Sequence, residues 1–479
     1  MAFTMFSIIV LCLAALTAAQ CPDYTSYSAN PHPPFSSGTH NLSYQRPSPS
    51  CRTFNSSYVE ATITRLKSII TDPDLSRLFE NAFPNTLDTT VKWTGHAANN
   101  SAEELAFIIT GDIDAMWLRD SANQLQSYLP LLNDTVHELS SLYRGVINLQ
   151  SRYLLTSPYC NSFQPPIESG LQPNSNGASD AVTPSYNPDI VFECKYELDS
   201  LAAFLEVSTN YYTATNDLSF FNRFQWVDAV QAVLNTATSM MIPTYAANGA
   251  VNQLPYTFTT DTTDGSQTLD NKGTGNPVQN NTGLLRSAFR PSDDACIYEL
   301  FIPANMMFAH YLNTTSTILF ALGNFNLATQ MTTLSASLTA AITEHGIVSD
   351  PVYGNIYAYE IDGYGSRNIM DDANIPSLVS APFFGYLSQN DSVYQATRKV
   401  LLSGDNPYFM RGSVINAIGG PHDGLGYAWP MASIVRILTS DDDDEIYSTL
   451  KELVGSTDGL GLLHESINTF DQGDYTRPW

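Results

Sequence analysis

The sequence predicts a large all-α domain with long, irregular loops, and three observations indicate this fold. Apolar residues recur at helical spacing: Val59, Ile63 and Leu66 lie three or four residues apart, on one face of a helix. Strands and helices do not alternate in the regular way that signals a parallel sheet. Long segments rich in Gly, Asn, Asp, Thr and Pro, at 160–190 and 243–292, separate the apolar stretches.

Helices are predicted wherever an apolar stretch has this periodicity. The stretches are 57–71, 134–156, 196–208, 225–242, 297–312, 323–344, 391–403, 429–439 and 445–455. A hairpin is expected near 346–360. Loops as long as those between the helices are unusual in a compact domain unless they build a functional surface, so the site is sought at their edges.

Composition narrows the class of protein. The chain has 479 residues, of which 43% are hydrophobic, so it can bury an ample core and is not disordered over most of its length. Asp and Glu total 47 against 21 Lys and Arg, a net charge of −26. This balance disfavours nucleic acid and anionic membrane surfaces as partners, and it suits a protein that acts on neutral ligands. It does not indicate an oligomeric state.

The N-terminus is typical of a secreted protein. Residues 1–19 contain an apolar run from Met5 to Leu16, then Thr17 and Ala19 in a small-x-small cleavage pattern, which predicts a signal peptide with a signal anchor as the alternative. Residues 20–54 are rich in Pro, Ser and Asn and predict an irregular lead-in. The predicted location is outside the cell or in the lumen of the secretory pathway.

Cysteines and glycosylation motifs agree with that location. Five cysteines follow the signal segment, which would give two disulfides and one free thiol without fixing the pairing. Seven Asn-x-Ser/Thr motifs predict a glycoprotein. They begin at Asn41, Asn55, Asn99, Asn133, Asn280, Asn313 and Asn390.

Residues able to carry chemistry gather in four segments at loop edges. These are GDIDAMWLRDS at 111–121, FRPSDDA at 289–295, GPHDGLGYAWP at 420–430 and HES at 464–466. Three of these segments also have an interpretation without function. Ser292 or Asp293 could cap a helix, 420–430 could be an ordinary turn, and HES could occur by chance. Acetal cleavage needs one carboxylic acid to protonate the leaving oxygen and one carboxylate to activate water or attack carbon. Aromatic rings and charged side chains can hold the sugar.

The chain resembles glycoside hydrolase family 125, a family of exo-acting α-1,6-mannosidases, from about residue 57 to the end. The matching segments begin with TGDIDAMWLRDSANQLQSYLPLL at 110–132, FECKYELDSL at 192–201 and FRPSDDACIYELFIPANMMFA at 289–309. They continue with MDDANIPSL at 370–378, NPYFMRG at 406–412, GPHDGLGYAWPMASIVRILTS at 420–440 and HESINTFDQGDYTRPW at 464–479. Several long blocks in the right order make this resemblance specific.

The resemblance implies an (α/α)6 barrel over 55–479, inverting hydrolysis of mannose-containing glycans, and neither metal nor other cofactor. It implies that the general acid is Asp293 or Asp294 and that the general base is Glu465. One Asp is expected to face Glu465 across the pocket while the other caps or orients. The sugar-binding residues that it implies are Asp112, Trp117, Arg119, Asp120, Arg290, His422, Trp429 and His464.

The sequence departs from the family pattern in three places. Asp114 stands where the family usually has Pro, and Cys194 stands where it usually has Arg. In the family the TRPW motif leads into a further helix, whereas this sequence ends at Trp479. One expectation from this difference is a catalytic domain truncated at its C-terminus.

Two other functions fit part of the pattern. A calcium-dependent α-mannosidase of another helical-barrel family would use the abundant carboxylates as metal ligands. The acidic run at 441–445 lacks the spacing of an EF-hand loop, and it is interpreted as a solvated helix start. A catalytically inactive, secreted sugar-binding protein would retain the aromatic residues and the glycosylation motifs. The intact RPSDD and HES segments favour the enzyme.

Overall fold

Helices form the framework of the molecule. The computed structural model describes residues 21–132 and 137–478, so the predicted signal peptide lies outside the described residues. The helices up to residue 239 are α1 Tyr24–Ser28, α2 Ser57–Lys67, α3 Pro73–Ala82, α4 Asn85–Thr89, α5 Leu118–Asn123, α6 His137–Thr156, α7 Leu198–Thr215, α8 Leu218–Phe221 and α9 Trp226–Ser239. The later ones are α10 Asp270–Gly273, α11 Ile302–Ala321, α12 Phe325–Ala341, α13 Ser392–Leu401, α14 Pro430–Leu438 and α15 Asp443–Gly455.

Each periodic stretch of the sequence overlaps one of these helices, which confirms the helix predictions. The largest difference in a boundary is at the end of 297–312, since α11 continues to Ala321, and at the start of this stretch α11 begins only at Ile302. The reason is that Leu300 and Phe301 form a short strand paired with Ile361 and Glu360 before the helix begins. Ser292 and Asp293 lie well before the helix, so the alternative that one of them caps it is wrong.

The core lies between the longest helices. Helix α7 is buried over most of its length, and so is α11, which packs against both α7 and α12. Helix α6 packs against α7 and α9. Helices that bury residues on every face have neighbours on every side, which explains why α7 and α11 lack a polar stripe. The loops that form the site begin at the ends of these buried helices.

Small antiparallel sheets accompany the helices, so the prediction of a purely α fold is incomplete. The strands are β1 Val91–Ala97, β2 Asn100–Ile108, β3 Met116–Trp117, β4 Ser162–Phe163, β5 Ala181–Thr183, β6 Val191–Glu193, β7 Thr257–Thr259, β8 Leu300–Phe301, β9 Ile347–Asp350, β10 Gly354–Tyr357, β11 Glu360–Ile361, β12 Arg367–Asn368, β13 Phe409–Arg411, β14 Asn416–Ile418, β15 Tyr427–Ala428, β16 Ile467–Asn468 and β17 Asp471–Tyr475. The hairpin expected near 346–360 is confirmed as β9–β10. The longer β1–β2 hairpin was missed, although its alternating burial has the period of a half-buried strand.

The lead-in contains little regular structure, yet it is fixed to the helices by buried polar contacts. Ser36 donates to the Asp74 carboxylate at 2.5 Å, and the Gln45 backbone N–H donates to Asn81 at 3.0 Å. Arg46 donates through Nε to Asp88 at 2.7 Å. A buried ion pair needs such hydrogen bonds to compensate for the loss of water, so the path of the lead-in is closely specified.

Two disulfides and one free thiol are present among the described residues, which confirms that part of the cysteine prediction. The bonds join Cys21 to Cys51 and Cys160 to Cys194, and Cys296 is free and buried. The second bond uses Cys194, one of the two residues that depart from the family pattern. It ties the loop after α6 to the loop before α7, and both loops contribute to the site described below.

The acidic run at 441–445 lies at the start of α15, so its interpretation as a helix start is confirmed. Asp442 caps α15 by accepting hydrogen bonds from the backbone N–H groups of Asp444 and Glu445, at 2.9 and 3.2 Å. Within residues 21–132 and 137–478, no group of three or more His, Cys, Asp or Glu residues is arranged to hold a metal ion. In the same part of the chain, none of the helices has the length and apolarity needed to cross a membrane.

Candidate active site

An open cavity of about 510 Å³ brings together residues that are far apart in sequence. Most of the predicted site residues line it. These are Arg119, Asp120, Asp293, His422, Trp429, His464 and Glu465. The remaining wall includes polar residues such as Thr86, Thr90 and Asn123, and apolar residues such as Phe383 and Met431. A concave site with a few convergent charged groups is the usual form of a small-ligand pocket.

The first charged residues enter the cavity through a strand–helix junction. Strand β3 pairs with β4 through Met116 and Trp117, and α5 begins immediately afterwards at Leu118. Arg119 and Asp120 therefore lie in the first turn of α5, fixed by a buried strand before them. Their guanidinium and carboxylate groups approach to 3.5 Å.

Asp293 is carried into the cavity by a tight turn. The Asp293 backbone N–H donates to the Arg290 carbonyl at 2.9 Å, and the Arg290 N–H donates to the Asp294 carbonyl at 2.8 Å. Asp293 has a φ of 66°, in the left-handed region that non-glycine residues seldom adopt. Strained backbone of this kind persists only where the surroundings enforce it, and it is often found at functional sites.

The amide of Asn161 is the hub of a carboxylate cluster beneath Asp293. Its Nδ2 lies 3.0 Å from Asp293, 3.1 Å from Glu193 and 3.3 Å from Glu197. An amide nitrogen has two hydrogens, so it cannot donate fully to three carboxylates. The side-chain oxygen of Asn161, Oδ1, accepts a hydrogen bond from the Lys195 backbone N–H at 2.9 Å, which fixes the orientation of the side-chain amide.

Two buried cations partly neutralise this cluster. Arg119 Nη1 donates to Glu197 at 2.6 Å and to Asp199 at 3.2 Å, and Lys195 Nζ lies 3.2 Å from Glu193. The cluster also includes Asp293 and Asp120, so its carboxyl groups outnumber its two cations. Repulsion among the carboxylates therefore favours the protonated form of some of them.

The pKa values of the cluster differ according to what each carboxyl contacts. Burial raises the pKa of Glu197 well above its usual range, and it raises that of Asp199 to about 6, although Arg119 opposes both shifts. Burial also favours the neutral form of Asp293, but Lys195 and Arg119 outweigh it and lower the pKa of that carboxyl. The contact between these two carboxyls raises the pKa of Glu197 and lowers that of Asp293, so a proton held by the pair resides on Glu197.

Asp294 lies behind the wall and holds His422. Asp294 is 2% exposed, and its Oδ1 lies 3.5 Å from His422 Nδ1. Ser292 donates to the other carboxylate oxygen at 3.2 Å. The hydrogen bond to Asp294 raises the pKa of His422 to about 9, so this histidine is a cation at neutral pH. Its ring stands edge-on to Trp429, with centroids 6.1 Å apart.

Glu465 lies between α15 and β16 and is held by the end of the chain. Its backbone N–H donates to the Arg477 carbonyl at 2.8 Å, and Arg477 Nη1 donates to its carboxylate at 3.1 Å. Burial raises the pKa of Glu465, and Arg477 opposes the shift. His464 is buried and stacks on Tyr475 with centroids 3.8 Å apart, and burial lowers its pKa to about 4.

Three residues expected to contact sugar lie elsewhere. Trp117 is buried against Phe192, in the short sheet that supports α5. Arg290 is 2% exposed and donates to Glu360 at 2.6 Å, so it anchors the turn that carries Asp293. Asp112 borders a smaller neighbouring cavity and is paired with Arg477. Trp117 and Arg290 therefore lie behind the wall of the main cavity, where their own buried contacts hold them.

The sequence analysis singled out none of the residues beneath Asp293. Glu193, Lys195, Glu197 and Asp199 all belong to FECKYELDSL, a segment that was noted only as a block. The feature that could have identified these residues is that every second position around the start of α7 is charged, although this helix is buried on all sides. Charges at the entrance to a buried helix must be paired or functional. Asn161 carries no comparable signal, since single asparagines are common in loops.

The family of the chain follows from similarities to known proteins. A sequence model of the metal-independent α-mannosidases (GH125) matches residues 72–479. The meiotically up-regulated gene 157 protein of Schizosaccharomyces pombe is 48% identical over 461 residues, which are 96% of this chain and 89% of that protein. A metal-independent α-mannosidase of Streptococcus pneumoniae, solved in a non-productive complex with α-1,6-mannobiose, is 32% identical with a TM-score of 0.78. That similarity covers 89% of this chain and 95% of the bacterial one.

Proposed function

This chain belongs to the metal-independent α-mannosidases of family GH125, and from that membership we propose that it releases terminal mannose from α-1,6-linked mannosides with inversion. The observation that carries the proposal is the placement of Asp293 and Glu465, two carboxyl groups from distant parts of the chain, in the wall of one cavity. An inverting glycosidase needs this pair to be about 6.5–9.5 Å apart, with room for a water molecule beside the base.

Asp293 is the proposed general acid, and Asp294 the positioning residue. Asp293 borders the cavity, whereas Asp294 lies behind it and accepts from Ser292. Asp294 also holds His422 as a cation, and His422 borders the cavity. A cation at that place can donate to sugar hydroxyls, which gives Asp294 a role in orientation.

A general acid must be able to deliver a proton, and Glu197 is the proposed source of that proton. On its own, the Asp293 carboxyl is held below its usual pKa by Lys195 and Arg119. The proton on Glu197 stays in the cluster because burial disfavours a second negative charge there. As the glycosidic bond breaks, this proton passes through Asp293 to the departing oxygen, and Glu197 remains as a carboxylate paired with Arg119.

Glu465 is the proposed general base. It takes a proton from the water that attacks the anomeric carbon, and Arg477, at 3.1 Å, stabilises its ionised form beforehand. Arg119, Asp120 and His464 are placed to bind sugar hydroxyls, and the flat face of Trp429 suits the apolar side of a sugar ring. Every step uses side chains of this chain and needs no metal.

An (α/α)6 barrel is the proposed arrangement of the helices. The fold of the solved bacterial relative matches over 89% of this chain, and α7 and α11 have the buried surfaces that inner helices of such a barrel need. A closed ring of helix pairs would place the loops that carry Asp293, His422 and Glu465 at one end.

Activity on three disaccharides tests the function. We expect hydrolysis of α-1,6-mannobiose with kcat/KM at least about tenfold above that for the α-1,2- and α-1,3-linked isomers, a difference of about 1.4 kcal/mol in transition-state binding. A chelator should leave the rate unchanged, whereas a calcium-dependent mannosidase would lose it. Binding without turnover would support the inactive sugar-binding alternative, and preference for another linkage would overturn the substrate assignment.

The secretory pathway is the proposed location, in accordance with the signal-like N-terminus. Two disulfides suit an oxidising compartment. All six glycosylation motifs within the described residues have an exposed asparagine, at Asn41, Asn55, Asn99, Asn280, Asn313 and Asn390. We expect N-glycans at these positions and a mature terminus near Gln20 or Cys21, both measured by peptide mass spectrometry. An intact Met1 without glycans would contradict this location.

A further inference from the structure

A second, smaller cavity of about 160 Å³ adjoins the main one. Asn85, Thr90 and Thr110 border both cavities, so the two are neighbours across these residues. A ligand that extends out of the main cavity on this side reaches the second cavity first. The mechanism proposed above makes no use of this space.

The outer wall of the second cavity comes from the lead-in. Tyr24, Thr25 and Ser28, all in α1, border it, and they precede residue 72, where the family match begins. Asn85 donates to the Tyr24 hydroxyl at 3.0 Å, and the Cys21–Cys51 disulfide holds the start of α1. The wall is therefore a fixed part of the protein.

The lining suits an uncharged, hydroxyl-rich ligand. Thr25, Ser28 and Thr89 border the cavity. Their hydroxyl groups donate to Asp23, to the Thr25 carbonyl and to the Asn85 carbonyl, so each hydroxyl oxygen can still accept a hydrogen bond. The charged side chains Asp112 and Arg477 are paired at 2.9 Å, so they add little net charge. A charged ligand would lack a counter-ion here, whereas the O–H groups of a sugar can donate to these hydroxyl oxygens.

We propose that the second cavity binds a third mannose unit of an α-1,6-linked chain, on the leaving-group side of the scissile bond. The inference rests on the proposed function, which places the terminal mannose between Asp293 and Glu465. The main cavity of about 510 Å³ has room for that unit and the next one. The following unit then meets the wall formed by α1. The preferred substrates are accordingly oligomannosides of three or more units.

A comparison of chain lengths tests this subsite. Wild-type protein should show a kcat/KM for α-1,6-mannotriose about tenfold above that for α-1,6-mannobiose. Thr25→Trp fills the second cavity, so it should abolish the advantage and leave the rate on mannobiose unchanged. Ser26→Trp is the matched control, because Ser26 is an exposed neighbour on α1 outside the cavity lining, and it should preserve the advantage.

Two further results separate this inference from the proposed function. Calorimetric titration of the Glu465→Gln variant with each oligosaccharide measures the subsite without turnover. A lower Kd for mannotriose that Thr25→Trp removes would support the subsite even if wild-type protein does not hydrolyse mannobiose, an outcome that would contradict the function alone. Equal kcat/KM and equal Kd for the two oligosaccharides, or a Thr25→Trp variant that keeps the advantage, would overturn the inference.

Discussion

Replacing Glu465 with Gln is expected to lower kcat on α-1,6-mannobiose by roughly 10²- to 10⁴-fold, the range that a positioned general base contributes. Gln keeps the shape of Glu but cannot take a proton from water. The contact with Arg477, 3.1 Å away in the wild type, can be retained through the amide oxygen. Binding of mannose and mannobiose, measured by calorimetry, should therefore survive while turnover collapses.

The control for this variant is Glu344→Gln, since Glu344 has a side chain that is 75% exposed and lies outside the cavity. It should leave kcat unchanged. The base must be ionised to act, and burial raises the pKa of Glu465. Activity of the wild type should accordingly fall with decreasing pH at a value above the ordinary pKa of glutamic acid. A Glu465→Gln variant with near-normal turnover would eliminate Glu465 as the base.

The Asn variants of Asp293 and Asp294 should differ in how they depend on the leaving group. Asp293→Asn removes the proton donor, so kcat on mannobiose should fall by roughly 10²- to 10⁴-fold. An activated aryl mannoside such as 2,4-dinitrophenyl α-mannoside needs little protonation, so its cleavage should be affected far less. Asp294→Asn should weaken the hold on His422, raise KM, and affect both substrates alike. Steady-state kinetics with the two substrates measures this difference.

Glu197→Gln tests the source of the proton. With Gln in this position the proton carried by Glu197 is lost, while Lys195 and Arg119 still favour the ionised form of Asp293. The acid should then deprotonate at lower pH, so the alkaline limb of the kcat profile should shift toward acid. A purely structural role for Glu197 would lower activity at every pH without moving that limb. For the Asp293 and Asp294 variants, a dependence on the leaving group that appears only with Asp294→Asn would mean that Asp294 is the acid.

Local sequence patterns predicted most of the framework. The apolar periodicity was sufficient to identify the long helices because their buried faces recur every three or four residues, as in α2 with Val59 and Ile63. Short strands such as β3 and β4 have no detectable period over two residues, and only their pairing creates them. The all-α prediction is incomplete for that reason.

The site was predicted less evenly. Segments noted from their residue types, such as RPSDD and HES, lie at the cavity, yet the division of labour between Asp293 and Asp294 follows from the turn at 290–294. Arg290 and Trp117 stand beside residues that line the cavity, and sequence proximity could not show that their side chains point into the core. The cluster around Asn161 depends on a loop approaching from 132 residues away, a contact with no local signature.

The anomeric configuration of the first product tests the central claim, that Asp293 and Glu465 act as acid and base in a single displacement. Proton NMR during the first minutes of α-1,6-mannobiose hydrolysis, before mutarotation, resolves the two anomers of the released mannose. Attack by water on the face opposite the leaving group produces β-mannose first, and this is the result that we expect. An initial product of α-mannose would show retention through a covalent intermediate, and it would contradict the assignment of Glu465 as a base acting on water.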